Sequence, residues 1–242
     1  MRALTPLLLS SALALTALPA AAQDVSDARI KELALEAILE NPQVVMEAVA
    51  ILQQRDAEEA EAQAQATLGN SRDRLERDPN APVLGNPDGD VTVVEFFDYN
   101  CPYCRRAGGE VARLLDADDQ VRVVYREWPI LGEASVFATK AALASREQDR
   151  YVEFHEALMG ATGRLDEASV MAIADGIGLD TDRLRADMEA PEVQAHIDTS
   201  MELAQSLGFS GTPSFVIGDM RAPGLVDADQ LQEMVEAVRD GG

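Results

Sequence analysis

The chain has 242 residues, with 43 Asp and Glu against 20 Lys and Arg, a formal net charge of −23. Apolar residues make up 47% and charged residues 26%, which is the composition of a soluble globular protein rather than a disordered or fibrous one. The acid excess excludes nucleic acid as a partner and argues against an anionic membrane surface, because both require clustered Lys and Arg. With only Cys101 and Cys104, a scaffold of several disulfides is excluded too.

At the N-terminus, Arg2 precedes an apolar run from Leu7 to Leu18, and Ala20-Ala21-Ala22 follows with small side chains. Residues 1–22 therefore read as a secretory signal peptide cleaved near Ala22. The alternative, a membrane anchor, needs about 20 apolar residues, more than the run supplies. The mature chain is expected in an oxidising, extracytoplasmic compartment, where a lone cysteine pair is oxidised or cycling.

Ile30, Leu33, Ala34, Ala37 and Ile38 recur at helical spacing, and Asn41-Pro42 reads as the start of a second helix carrying Val44, Val45, Ala48, Val49 and Leu52. From Gln53 to Ala66 only Ala, Glu, Gln, Arg and Asp occur, which predicts a solvated helical stalk. Residues 23–82 thus form an N-terminal helical extension and stalk, ended by Asp78-Pro79-Asn80-Ala81-Pro82. Such short helices are marginal alone. Their apolar stripe, residues 26–52, must be covered by self-association or by docking onto the rest of the chain; the stalk geometry favours a homo-oligomer.

Residues 83–242 read as an α/β domain. Val91 to Phe97 is a buried-strand pattern, a helix follows from Cys101, and Val121 to Glu127 is a second strand, together a βαβ unit. A helical stretch over about 133–207 comes next, then a strand from Pro213 to Ile217, a turn at Gly218-Asp219, and an amphipathic helix over Asp227 to Arg239.

The chemistry lies in Cys101-Pro102-Tyr103-Cys104. Two thiols one helical turn apart at a helix start can close a small disulfide. The helix N–H groups and macrodipole favour a thiolate on Cys101, which makes it the nucleophile and a good leaving group, with Cys104 as the resolving thiol. A purely stabilising bridge gains little from so small a loop. Zinc needs four ligands, and only His155 and His196 remain; His155 falls on an apolar helix face and His196 shows no partner in the sequence. A Cu(I) site on two thiolates stays open, since soft thiolates suit that ion. No metal or cofactor is assigned. Glu95 stands on an otherwise apolar strand, either as a buried carboxylate able to take the Cys104 proton or as an exposed strand-end charge. Phe96, Phe97 and Trp128 read as core.

Three segments carry a resemblance. Glu95 through Cys104 resembles the active-site segment of the DsbA family of periplasmic thiol–disulfide oxidoreductases. Trp128-Pro129-Ile130-Leu131-Gly132 and Gly211-Thr212-Pro213-Ser214-Phe215-Val216-Ile217-Gly218 resemble that family's segment after the second strand and its cis-proline loop. The resemblance implies a thioredoxin fold with an inserted helical domain. It also implies that Pro213 is cis and lies against the cysteines, with the Thr212 backbone left to pair with an extended substrate strand. Within the family, Asp-Tyr-Asn before the cysteine motif and the helical extension are most similar to the suppressor-of-copper-sensitivity C-type proteins, some of which trimerise and isomerise disulfides. Tyr103 stands where the best-known DsbA enzyme has His, and the Pro102-Tyr103 dipeptide tunes the redox potential. The implied partners are unfolded or misoxidised secreted proteins and a membrane redox protein. The expected function is disulfide exchange by an isomerase or reductase-linked oligomer; a monomeric dithiol oxidase and a non-catalytic Cu(I) carrier are the alternatives.

Overall fold

The computed structural model describes residues 26–241, so the signal-peptide reading of residues 1–22 lies outside the described residues. Contacts divide the chain at Arg55/Asp56 into two compact units.

In the first unit, α1 (Asp27–Glu40) is capped by Ser26, whose side chain accepts from the Arg29 N–H, and buries none of its residues. Asn41 ends α1 and, through its carbonyl, opens α2 (Gln43–Glu76). The helix stays solvent-exposed through Gln63, as the Ala/Glu/Gln composition predicts. It then runs on as a packed helix, burying Ala64, Thr67, Leu68 and Leu75. The stalk composition hides this change because the packed face is only a few residues long.

The second unit is built on five strands: β1 (Val83–Gly85), β2 (Val91–Phe97), β3 (Val121–Glu127), β4 (Ser214–Ile217) and β5 (Met220–Pro223), in spatial order β1-β3-β2-β4-β5. Only β2 and β3 run parallel, joined through α3 (Pro102–Ala117) as a βαβ unit. β1 escapes the sequence reading because three residues at a sheet edge carry no periodicity. β2 is the central strand; Glu95 lies opposite Tyr125 on one neighbour and Phe215 on the other. Between β3 and β4 stand α4 (Glu133–Ala144), a 3₁₀ turn (Ser145–Gln148), α5 (Tyr151–Gly160), α6 (Glu167–Gly176), α7 (Thr181–Asp187) and α8 (Pro191–Ser206). α9 (Ala228–Gly241) closes the described chain.

Side chains alternate across the strands. Val91, Val93 and Phe97 enter the larger core with Cys104, Ala107, Val111 and Leu114 of α3 and Leu231 and Val235 of α9, a core that extends into the helical insertion. Val94, Phe96, Val124 and Val216 face the other way, onto Leu68 and Leu75 of α2, Leu203 and Leu207 of α8, and Trp128.

Two polar contacts tie α8 and the end of α2 to β3. Arg126, fully buried, donates to Asp78 Oδ2 at 2.8 Å and to the Leu75 carbonyl at 3.3 Å. His196, without a visible partner in the sequence, sits on α8 with Nε2 2.6 Å from Glu127 Oε2, while the Tyr151 hydroxyl donates to Glu127 Oε1 at 2.6 Å. Burial pushes the Glu127 carboxyl up, but His196 and Tyr151 outweigh it and hold the group below the usual carboxylate range.

Removing the Leu68 side chain leaves a cavity between α2 and the sheet, so Leu68→Ala is expected to destabilise the protein by about 2–5 kcal/mol in denaturant unfolding.

Candidate active site

The site forms where β2 ends and α3 begins. Asp98 organises the turn: its Oδ1 accepts from the Asn100 N–H at 2.7 Å and its Oδ2 from the Leu131 N–H at 2.9 Å. Asn100 then grips the insertion, with its Oδ1 accepting from the Leu165 N–H at 2.7 Å and its Nδ2 donating to the Leu165 carbonyl at 3.1 Å. Cys101 is the N-cap of α3, in extended geometry, and Pro102 occupies the first turn, where its missing N–H costs nothing.

Both cysteines are free thiols, Cys101 5% exposed and Cys104 fully buried. The Cys101 Sγ lies 3.3 Å from the Thr212 carbonyl oxygen. The Thr212–Pro213 peptide bond is cis, so the loop ahead of β4 stands directly against Cys101. Tyr103 is 56% exposed at the rim.

The environment splits the two thiols. The Cys101 thiol is lowered to about 5, first by the hydrogen bond from Cys104, against the opposing effect of burial, then by Thr212 and the N–H groups of Cys104 and Tyr103. The sequence argument assigned this role to the helix N-terminus; the Cys104 thiol stands first among the causes, ahead of the backbone N–H groups. Burial, the hydrogen bond to Cys101 and the Glu95 charge all push Cys104 far up. Glu95 is 1% exposed, which decides its burial: it shares the sheet face of Val93 and Phe97, over which α3 lies. Burial, then the Cys101 charge, raises its carboxyl to about 8. Its Oε1 has no hydrogen-bond partner.

Of the residues singled out from the sequence, Cys101, Cys104, Pro102 and Tyr103 share one helix start, and Thr212 reaches it through its contact with Cys101. Asp98, Asn100 and Arg105 were not foreseen. Arg105 Nε donates to the Tyr99 carbonyl at 3.3 Å and Nη1 to the Gly163 carbonyl at 2.6 Å, joining α3 to the insertion. The Asp-Tyr-Asn tripeptide was the available signal, since Asp and Asn before a helix commonly bond nearby backbone. His155 is buried with Nδ1 3.0 Å from the Tyr99 hydroxyl, and burial lowers it to about 4, so the ring is neutral. Among the described residues no cluster of His, Cys, Asp and Glu has the form of a metal site.

A proton on Cys101 is therefore expected to titrate near 5 instead of the ordinary 9.0. Alkylation of the reduced protein followed against pH measures this midpoint, and Cys104→Ala should move it upward. The same depressed value stabilises the reduced fold at pH above about 9, and that stabilisation is lost as pH falls through about 5.

Comparison with known proteins bears on the same segment. Residues 92–236 match the DSBA-like thioredoxin domain, and residues 28–59 match the Copper resistance protein ScsC N-terminal domain. A thioredoxin-like oxidoreductase from Silicibacter pomeroyi DSS-3 is 64% identical, covering 70% of this chain and 98% of its own, with a TM-score of 0.69. Proteus mirabilis ScsC in a transitional conformation is 31% identical, covering 90% of this chain and 99% of its own, with a TM-score of 0.67. The Na(+)/H(+) antiporter NhaA 1 of Salinispora arenicola is 30% identical over 161 residues, 66% of this chain; the chain spans only 25% of the antiporter's length. The fold, the cysteine pair at the start of α3 and the match over residues 92–236 place this chain in the DSBA-like thioredoxin domain family.

Proposed function

We propose that the protein is a thiol–disulfide oxidoreductase that exchanges disulfides with secreted protein substrates in the periplasm, working as a disulfide isomerase or reductase-linked oligomer. The observation that carries the reading is the Cys101 sulfur, lowered to about 5 and set against Thr212. At neutral pH it is a thiolate, the nucleophilic form.

Exchange begins when the Cys101 thiolate attacks one sulfur of a substrate disulfide; a bond forms between them and the second substrate sulfur leaves as a thiolate, which takes up a proton. Cys104 then loses its proton, attacks the Cys101 sulfur and closes the Cys101–Cys104 disulfide, releasing the first substrate sulfur as a thiolate. Two electrons pass from enzyme to substrate. In isomerisation another substrate thiolate resolves the mixed disulfide instead, and Cys101 is regenerated without net electron transfer. Run backwards, the steps oxidise a dithiol. Thr212 offers its main chain to an extended substrate segment, and Pro213 places that loop; Pro102 and Tyr103 sit between the two cysteines and set the redox balance.

Glu95 is the group for the Cys104 proton. While Cys101 is a thiolate, its charge helps to keep Glu95 protonated. Once Cys101 is in a mixed disulfide that charge is gone, and Glu95 ionises more readily just when Cys104 needs a base. Glu95→Gln is expected to slow closure of the Cys101–Cys104 disulfide by on the order of 10²-fold or more, with the attack step little changed. Equal closure rates in quenched-flow trapping would remove Glu95 from the mechanism.

Oligomerisation is supported by the extension. Ile30 and Leu33 of α1 and Val44, Val45 and Leu52 of α2, all on the apolar stripe read from the sequence, are more than 40% exposed. A stripe of this size marks a protein–protein contact. No helix among the described residues is long and apolar enough to cross a membrane. The mature protein is expected to sediment as an oligomer and, reduced, to restore activity to a scrambled multi-disulfide substrate. A chain beginning at residue 56 should be monomeric and lose most of that isomerase activity. A monomeric mature chain that oxidises reduced peptides rapidly would instead identify a dithiol oxidase.

A further inference from the structure

Beside Cys101, Asn100, Pro102, Arg105, Leu131, Gly163 and Arg164 line a cleft of about 480 Å³. Two guanidinium groups stand in its wall, each anchored by main-chain carbonyls. Arg105 donates to Tyr99 and Gly163, and Arg164 Nη2 donates to the Leu131 carbonyl at 3.3 Å. Carbonyl oxygens position a guanidinium without cancelling its charge. Arg105 is half-buried, and its Nη2 is buried with no partner. On the outer side of the helix start, Arg106 lies over the Tyr103 ring, 5.9 Å from its centroid.

Among the described residues none of these three arginines is paired with a carboxylate, whereas Arg126, Arg150, Arg183, Arg185, Arg221 and Arg239 all are. In a chain with 43 acids and 20 bases, Arg105 and Arg164 stand in a cleft whose lining includes Asn100 and Pro102, the residues on either side of Cys101, and Arg106 lies at the same helix start. The acids closest in sequence are engaged elsewhere. Asp98 is held by the Asn100 and Leu131 N–H groups, and Asp166 accepts from the Ser169 N–H at 2.8 Å. The large negative charge of the molecule repels acidic segments at a distance, but screening over about 8 Å at physiological ionic strength leaves the local cations to act at contact. A walled cleft strengthens that local field.

We propose that Arg105 and Arg164 read a carboxylate on the substrate, so that protein segments carrying Asp or Glu within a few residues of the reacting cysteine are preferred. The proposal rests on disulfide exchange at Cys101 and names the substrate class for it. Arg105 and Arg164 are specificity residues; neither takes part in bond making.

The test uses the full mature protein and three disulfide-linked peptides that differ only in having Asp, Asn or Lys next to the cysteine. For the reduced wild type, kcat/KM should fall in the order Asp, Asn, Lys, by about tenfold from first to last, the size of a partly desolvated charge interaction. The ratio should shrink as salt is raised. Arg105 also holds two main-chain carbonyls, so the charge is reversed at the exposed Arg164 instead. Arg164→Glu should bring the Asp-to-Lys ratio to one or below, with Arg164→Gln between. Equal rates for the three peptides, or a ratio unchanged in Arg164→Glu, would overturn the proposal while leaving exchange intact. Failure of the wild type to react with the Asn peptide would overturn the exchange reading, and the proposal with it.

Discussion

Hydrogen-bond donors converging on the sulfur of Cys101 are the constraint on which the rest of the site depends. A thiol at a helix N-terminus is already favoured as an anion by the dipoles behind it. Here the buried Cys104 adds a donor one turn along, and its own burial prevents it from competing for the charge. Two chemically identical groups thereby become unequal, one a thiolate and one a firmly protonated thiol. In the proposed exchange that inequality sets the order of events, with the Cys101 sulfur opening the attack and the Cys104 sulfur resolving it.

The sheet supplies the conditions for this inequality. β2 is flanked by strands on both edges and covered by helices on both faces, so Glu95 is held in a medium where an ionised carboxylate is disfavoured. Other buried charges in this unit each have at least one polar partner: Arg126 has Asp78, Glu127 has His196 and Tyr151, and Asp98 has the Asn100 and Leu131 N–H groups. Glu95 lacks a partner for Oε1. An unsatisfied buried polar group costs about 1–3 kcal/mol, and an apolar residue would pack the same space more favourably. Its placement under the cysteines matches a proton-transfer role better than a packing role.

Outside the core, the two units present different surfaces. The second unit leaves Arg105, Arg106 and Arg164 without carboxylate partners near the reactive sulfur, while the first presents apolar side chains along α1 and the start of α2. In the proposal above, the first pattern selects what approaches Cys101. The second is the surface proposed for self-association, and the two are physically separable because an electrostatic contact is screened by salt and an apolar one is driven by burial.

Local pattern determined much of this protein in advance. A run of β-branched and aromatic residues marked β2, a similar run marked β3, the helical stretch from Cys101 marked α3, and the spacing of the two cysteines marked the chemistry, because each of these signals depends on neighbours within one turn or one strand. The segments around Cys101, Trp128 and Pro213 also carried the family resemblance. Tertiary structure alone decided whether Glu95 was buried, since that depends on β3, β4 and α3 meeting around it. It alone paired His196 with Glu127, separated by most of the insertion, and gave Arg126 its partner Asp78. It brought Thr212 to Cys101 from the far side of the helical insertion, and it gathered Arg105 and Arg164 on one cleft. These contacts join residues distant in sequence, and no periodicity along the chain encodes which distant side chain will lie within hydrogen-bonding distance once the sheet has formed.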